Sequence, residues 1–121
     1  MWNLIGKLLT PDFLLGTRII TWNKKYGGDA ANQLWRWKGE SLESVASGLV
    51  LDISGQNGTD LIVWPYHGGG NQRFRFDGTC LVNSGNGKVV DIANNNSSPG
   101  ARTCAWNRNG GLNQQWYLEY A

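Results

Sequence analysis

Apolar residues along this chain come in short runs that stop at turn-forming residues. Leu49 to Ile53 ends at Ser54-Gly55, Leu61 to Trp64 at Pro65, Phe74 to Phe76 at Asp77-Gly78, and Trp35 to Lys38 at Gly39. Runs this short, rich in β-branched and aromatic residues and bounded by Gly, Pro and Asp, predict strands and not helices. Arg73 and Arg75 interleave with Phe74 and Phe76, the period of two expected of a half-exposed strand.

The runs repeat. Three segments end in an amide pair and an aromatic: Asn32-Gln33-Leu34-Trp35, Asn71-Gln72-Arg73-Phe74 and Asn113-Gln114-Gln115-Trp116, spaced by 39 and 42 residues. A second landmark, Gly48-Leu49-Val50-Leu51-Asp52, returns as Gly87-Lys88-Val89-Val90-Asp91 and more loosely as Gly6-Lys7-Leu8-Leu9-Thr10; Trp35 to Asp52 and Phe74 to Asp91 are both 17 residues. A third is an apolar stretch closing on tryptophan at Trp22, Trp64 and Trp106. Thr10 to Trp22 and Asp52 to Trp64 are both 12 residues, whereas Asp91 to Trp106 is 15 because the third copy carries the longer loop Asn94 to Gly100. Insertions therefore fall in loops, and the chain reads as one domain, 1–121, of three copies at approximately 1–38, 39–77 and 78–121, each with about four strands. One copy cannot bury its own apolar face, so the core must form where the three meet, and closing the sheet on itself hides the strand edges. An all-β, closed, three-unit architecture is predicted.

Composition removes several functions. Eleven basic and nine acidic residues are dispersed singly, for a net charge of +2, which is not the footprint of a nucleic-acid-binding protein. The richest apolar stretch, Leu4 to Leu15, is broken by Gly6, Lys7, Thr10, Pro11 and Asp12, so membrane insertion is not expected. A single His gives no basis for a His-rich metal site, and Gly68-Gly69-Gly70 lacks the Gly-Lys-Ser/Thr ending of a phosphate loop, so neither metal nor cofactor is expected. Cys80 and Cys104, 24 positions apart, fit a disulfide or two separate thiols equally.

Three Gln-x-Trp-like motifs at this spacing, each preceded by an apolar strand end with Asp and a Trp-containing strand, resemble the ricin-type lectins over the whole chain. The resemblance implies a β-trefoil with pseudo-threefold symmetry and multivalent sugar binding without catalysis, towards galactose or N-acetylgalactosamine more than mannose. Phe74 in place of Trp, Thr10 in place of Asp, and cysteines that do not match the family's usual disulfide within a copy are departures.

A pyranose presents vicinal hydroxyls and a patch of C–H groups, so its site wants an ionised carboxylate, an amide and a flat aromatic surface. Asp52 and Asp91 supply the carboxylates, Asn71 and Asn113 the amides, and Trp64 and Trp106 the platforms. His67 and Asn109, three residues after each tryptophan, match a position that often touches sugar in ricin-type lectins. Gln72 and Gln114 count among the sugar-binding candidates, while Gln33, Gln72 and Gln114 also read as core elements that bond backbone, together with Trp35, Phe74 and Trp116. The bland alternatives are turn capping for Asp52 and Asp91, core positions for the tryptophans and a surface turn for His67; the shared phase of Asp52 and Asp91 favours sites.

The first copy keeps Trp22, Lys25, Asn32 and Gln33 but has neutral Thr10, followed by Pro11-Asp12-Phe13-Leu14-Leu15. Asp12 is the candidate substitute carboxylate of a degenerate site, and Phe13 to Leu15 is a candidate contact with a partner or with a second copy in a homodimer. Competing readings are a glycosidase, a protein-binding trefoil and a carbohydrate-binding module of a larger glycosidase or toxin. The chain begins inside the first repeat, Gly6 being already the equivalent of Gly48 and Gly87, so no cleavable signal is expected; extracellular and cytoplasmic locations both remain open.

Overall fold

The computed structural model describes residues 2–5, 8–10, 19–22, 31–96, 98 and 100–120, with side chains at 19–20, 31–96, 98 and 100–116. Twelve strands lie among the described residues: β1 (Trp2–Ile5), β2 (Leu8–Thr10), β3 (Ile20–Trp22), β4 (Trp35–Lys38), β5 (Ser41–Ser44), β6 (Val50–Ile53), β7 (Leu61–Trp64), β8 (Phe74–Phe76), β9 (Leu81–Asn83), β10 (Val89–Ile92), β11 (Thr103–Trp106) and β12 (Tyr117–Tyr120). All their pairings are antiparallel.

Three hairpins, β2–β3, β6–β7 and β10–β11, alternate with the other six strands. Those six run β12–β1–β4–β5 and β8–β9. The ring is drawn together by the N–H of Phe74 donating to the Glu40 carbonyl at 2.8 Å and that of Trp116 to the Thr79 carbonyl at 2.7 Å. A six-stranded barrel capped by three hairpins is the β-trefoil, and it leaves few open edges. The hairpin registers bring Thr10 opposite Ile20, Asp52 opposite Ile62 and Asp91 opposite Cys104, so these three residues hold equivalent places in their hairpins.

Alternation along the hairpin strands decides what faces the core. In β7, Leu61 and Val63 are buried while Trp64 is exposed; in β11, Thr103 and Ala105 are buried and Trp106 is exposed. One core cluster draws Ile19 and Trp35 from the first copy, Leu51, Leu61, Val63 and Phe74 from the second, and Leu81, Val90, Ala105 and Trp116 from the third. Phe74 fills its tryptophan's place at 2 % exposure, a size change this core accommodates. Near the centre, the Ile19 N–H donates to the Leu61 carbonyl at 2.9 Å, and the Ala105 N–H to the Thr59 carbonyl at 2.7 Å. Thr103 stands where the other copies have Ile19 and Leu61; its hydroxyl donates to the Ile19 carbonyl, so a polar group sits there satisfied. The tight turns into β6 and β10 end on Gly48 and Gly87, at φ +75° and +76°, a region in which a Cβ is strained.

Cys80 and Cys104 are not joined in a disulfide. Cys80 packs with Val82 and Val89 in a small satellite cluster, and burial pushes its pKa up. Of the two readings of this cysteine pair, separate thiols is the one the fold adopts.

Candidate functional site

In the second copy β6 carries Asp52 and β7 ends on Trp64, so both reach the same hairpin face. A short 3-10 turn, Gly70–Gln72, folds Gln72 in behind the carboxylate. Gln72 Nε2 donates to Asp52 Oδ2 at 2.8 Å and to the Pro65 carbonyl at 3.0 Å, while its Oε1 accepts the N–H groups of His67 and Gly68 at 2.8 and 3.3 Å. Gln72 is 0 % exposed with its amide fully used, so it cannot itself meet a ligand. Asn71 Nδ2 donates to Asp52 Oδ1 at 3.1 Å and to the Ile53 carbonyl at 3.0 Å.

A carboxylate has roughly four acceptor positions, and Gln72 and Asn71 occupy two. The remaining capacity faces a cavity of ≈ 420 Å³ lined by Asp52, Ser54, Gly55, Gln56, Asp60, Ile62, Trp64, His67 and Asn71. Burial pushes the Asp52 carboxyl above its ordinary value, with Gln72, the charge of His67 and Asn71 pulling the other way. The Gly69 N–H donates to His67 Nδ1 at 3.0 Å, which leaves the proton of the neutral ring on Nε2, 3.8 Å from Asp52 Oδ2. His67 thus presents a donor beside the carboxylate.

The third copy rebuilds this arrangement with different residues. Gln114, also 0 % exposed, donates from Nε2 to Asp91 Oδ2 at 2.8 Å and to the Asn107 carbonyl at 2.9 Å, and its Oε1 accepts the Asn109 N–H at 2.9 Å. The Gly111 N–H donates to Asn109 Oδ1 at 2.8 Å, so Asn109 turns its amide as His67 turns its ring, acceptor to the backbone and donor outwards. Asn113 Nδ2 donates to the Ile92 carbonyl at 3.1 Å, as Asn71 does to Ile53. Where Asn71 holds Asp52 Oδ1, the Cys104 thiol approaches Asp91 Oδ1 at 3.6 Å. Trp106 is 53 % exposed and Trp64 39 %, both open enough to receive a flat ligand face.

Asp52, Trp64, His67 and Asn71 are therefore gathered in one place, and Gln114 links Asp91 to Asn109 while Asn113 bonds the neighbouring Ile92 carbonyl, beside the Trp106 strand. Asp52 and Asp91 sit inside strands and not in turns, which removes the turn-capping alternative. Gln72 and Gln114, expected on both counts as ligand neighbours and as core, stand wholly behind the carboxylates; direct ligand contact by them is corrected by their burial. In the first copy Gln33 is buried and Asn32 half-buried, both engaged in further contacts. Asp12, Lys25 and the Phe13 to Leu15 run lie outside the described residues, as does the side chain of Trp22. Sequence reasoning missed Asp60, whose phase two and four residues before Ile62 and Trp64 marks it as a same-face neighbour, and the thiol of Cys104, opposite Asp91 in the hairpin register. Among the described residues no group of His, Cys, Asp and Glu suits a metal ion, and no helix is long and apolar enough to cross a membrane.

Known proteins share this architecture. The chain is similar to the C-terminal half of an earthworm R-type lectin solved in complex with GalNAc, with 28 % identity over 94 % of this chain and 90 % of that one, at a TM-score of 0.86. It is similar to the designed threefold-symmetric protein ThreeFoil, 30 % identical over 99 % of this chain and 98 % of that one, TM-score 0.85. It also resembles part of an exo-β-1,3-galactanase from Clostridium thermocellum, 25 % identical over 97 % of this chain but 29 % of that one, TM-score 0.79. No curated protein matches the chain. The profile of the ricin-type beta-trefoil lectin domain matches residues 10–116, from the Thr10 strand end to the last motif tryptophan. With the repeats, the barrel and that match in agreement, the chain belongs to the ricin-type β-trefoil lectin family, whose domains bind carbohydrate.

Proposed function

We propose that the chain binds galactose- or N-acetylgalactosamine-terminated glycans reversibly, at the Asp52 and Asp91 sites, and does not cleave them. The observation that carries this reading is the recurrence, in two copies, of a strand carboxylate held from behind by a buried glutamine, with an exposed indole closing the partner strand of its hairpin. The GalNAc bound to the earthworm lectin supports the choice of sugar. Asp52 and Asp91 act as acceptors for vicinal hydroxyls, Trp64 and Trp106 as platforms, Asn71, Asn113, His67 and Asn109 as donors, and Gln72 and Gln114 as positioning residues.

Each neutral hydrogen bond exchanged with water nets about 0.5 to 1.5 kcal/mol, and about 1.5 to 3 at a carboxylate. One shallow site then binds in roughly the micromolar to millimolar range. Two sites on one clustered glycan gain roughly 10² to 10⁴ by linkage, so multivalency supplies the working affinity. A glycosidase would instead need a carboxylate pair poised across one glycosidic bond, about 5 to 9.5 Å apart. Asp52 is committed to an amide shell from Gln72 and Asn71, which suits an acceptor more than a nucleophile.

A panel of monosaccharides titrated against tryptophan fluorescence, with a parallel assay for released sugar, tests the reading. Saturable binding of galactosides at two sites, each removed singly by Asp52→Asn or Asp91→Asn, is expected, with no cleavage. Binding that ignores both substitutions, or steady release of sugar, overturns it. Self-association through the Phe13 to Leu15 run belongs to the same reading, and mass in solution of the Phe13→Ser, Leu14→Ser protein tests it.

A further inference from the structure

Both sites have a third side chain on the tryptophan strand, and its charge reverses between copies. Beyond the Asp52–Ile62 and Asp91–Cys104 pairs, the ladder continues with the Ser54 N–H donating to the Asp60 carbonyl at 2.8 Å and the Ala93 N–H to the Arg102 carbonyl at 2.9 Å. Asp60 and Arg102 are thus equivalent positions. Alternation puts Asp60, Ile62 and Trp64 on one hairpin face, and Arg102, Cys104 and Trp106 on the other copy's corresponding face. Asp60 lines the same cavity as Asp52 and Trp64. Arg102 is exposed, and no acidic side chain among the described residues pairs with it.

Resting on the sugar-site reading above, we propose that the two sites sort glycans by charge: the Asp91 site takes an anionic galactoside, its carboxylate or sulfate held by Arg102, while the Asp52 site takes neutral ones. Residues two apart on a strand are about 6.6 to 6.8 Å apart, so the backbone of Arg102, extended just ahead of β11, lies roughly 13 Å from that of Trp106. That spans a sugar stacked on the indole and the substituent or unit next to it. A guanidinium offers a fork of donors matched to the two oxygens of a carboxylate or sulfate. In the second copy the same place holds a carboxylate, which has no N–H fork to offer such a group. Asp60 is engaged by a contact of its own, so the sorting asks of it only that it supply no cation, and the attraction rests on Arg102.

Calorimetric titration of two single-site proteins decides the matter. Asp52→Asn leaves the Asp91 site, and Asp91→Asn leaves the Asp52 site; Trp64→Ala and Trp106→Ala serve in their place if either fails to fold. Each is titrated with lactose, sialyllactose and sulfated lactose at low and high salt. The protein retaining the Asp91 site is expected to bind one or both acidic ligands severalfold more tightly than lactose, with the margin shrinking in salt and vanishing in Arg102→Gln while lactose affinity holds. The sialyl and sulfate arms show which anion is read. The protein retaining the Asp52 site is expected to bind the acidic ligands no more tightly than lactose, and Asp60→Arg to give it a salt-sensitive preference for them. Equal affinities for acidic and neutral ligands at the Asp91 site, or an acidic preference that survives Arg102→Gln, overturn the charge sorting while leaving the sugar sites standing. Failure of both proteins to bind any of the three ligands overturns the sites themselves, and the sorting with them.

Discussion

Replacing Gln72 with methionine removes the amide behind Asp52 while nearly conserving volume, so the cost is that of bonds and not of a cavity. Gln72 makes one bond to an ionised carboxylate at 2.8 Å, two neutral bonds at 3.0 and 2.8 Å, and a longer one at 3.3 Å. The first is worth about 1.5 to 3 kcal/mol and the two good neutral ones about 0.5 to 1.5 each, with the Pro65 carbonyl and His67 N–H left wanting partners near a buried carboxylate. Together these predict a loss of about 2.5 to 6 kcal/mol, a large part of the roughly 5 to 15 that holds a domain folded. Urea unfolding at pH 7 measures it. Gln115→Met is the control, because Gln115 is exposed and makes one bond, to the Gly110 carbonyl at 3.2 Å; it should fall within about 0.5 kcal/mol of the parent. A Gln72→Met protein within about 1 kcal/mol of the parent would refute the view that this amide both anchors the loop and holds the carboxylate.

Asp52→Asn should weaken galactoside binding at that site by roughly tenfold or more in calorimetry, since carboxylate-to-hydroxyl bonds are lost. Because burial raises the Asp52 pKa, its contribution to stability is fully present below the ordinary value of 3.8 and is lost as pH rises through the raised one; melts from pH 3 to 7 should therefore move in favour of the variant as pH rises. Asp77 behaves oppositely. The N–H groups of Cys80 and Thr79, then Arg108, hold its pKa down at about 2, so its stabilisation is present above pH 3.8 and lost as pH falls towards 2. Asp77→Asn should cost about 0.5 to 1 kcal/mol at pH 7 after solvent screening, and nothing measurable near pH 2 by chemical unfolding. Gly85→Ala would set a Cβ 2.9 Å from the Gly70 carbonyl oxygen and should destabilise by about 1 to 3 kcal/mol, whereas Gly55→Ala meets nothing within 4 Å and should be near neutral; paired thermal melts compare them. Trp106→Ala should abolish the fluorescence response of its site with little loss of stability, while Trp35→Ala, at 0 % exposure, should cost about 3 to 5 kcal/mol.

The repeat spacing made the fold legible. Matched intervals from Trp35 to Asp52 and from Phe74 to Asp91 pointed to equivalent places in each copy, and the pairs Trp35–Ser44 and Phe74–Asn83, with Asp52–Ile62 and Asp91–Cys104, agree with that. The loop insertions at residues 94–100 fell where the sequence placed them, between β10 and β11. Gln72 and Gln114 were readable as core because polar side chains recurring beside an aromatic must be bonded when buried; that their partner is the carboxylate 20 and 23 residues earlier depends on a turn whose path no local pattern encodes. The Cys104 thiol beside Asp91 was hidden for a related reason, since cross-strand neighbours follow from register and the longer third loop obscured it. The cysteine pair illustrates the same point: sequence separation says nothing about which way two thiols face, and Cys80 faces its own apolar cluster.

The pairing of β1 with β12, in which Trp2 meets Tyr120 and Ile5 meets Tyr117, has a kinetic meaning. Within this domain the first strand must wait for the twelfth before it finds its neighbour, and the central bond from Thr103 to Ile19 joins residues 84 positions apart. Long-range closures of this kind place such topologies among slow folders, on the order of milliseconds to seconds. Vectorial synthesis gains the domain little: two finished copies emerging from the exit tunnel would still lack the third wall of their interior, and a nascent chain stalled there should stay protease-sensitive until β12 has emerged to pair with β1.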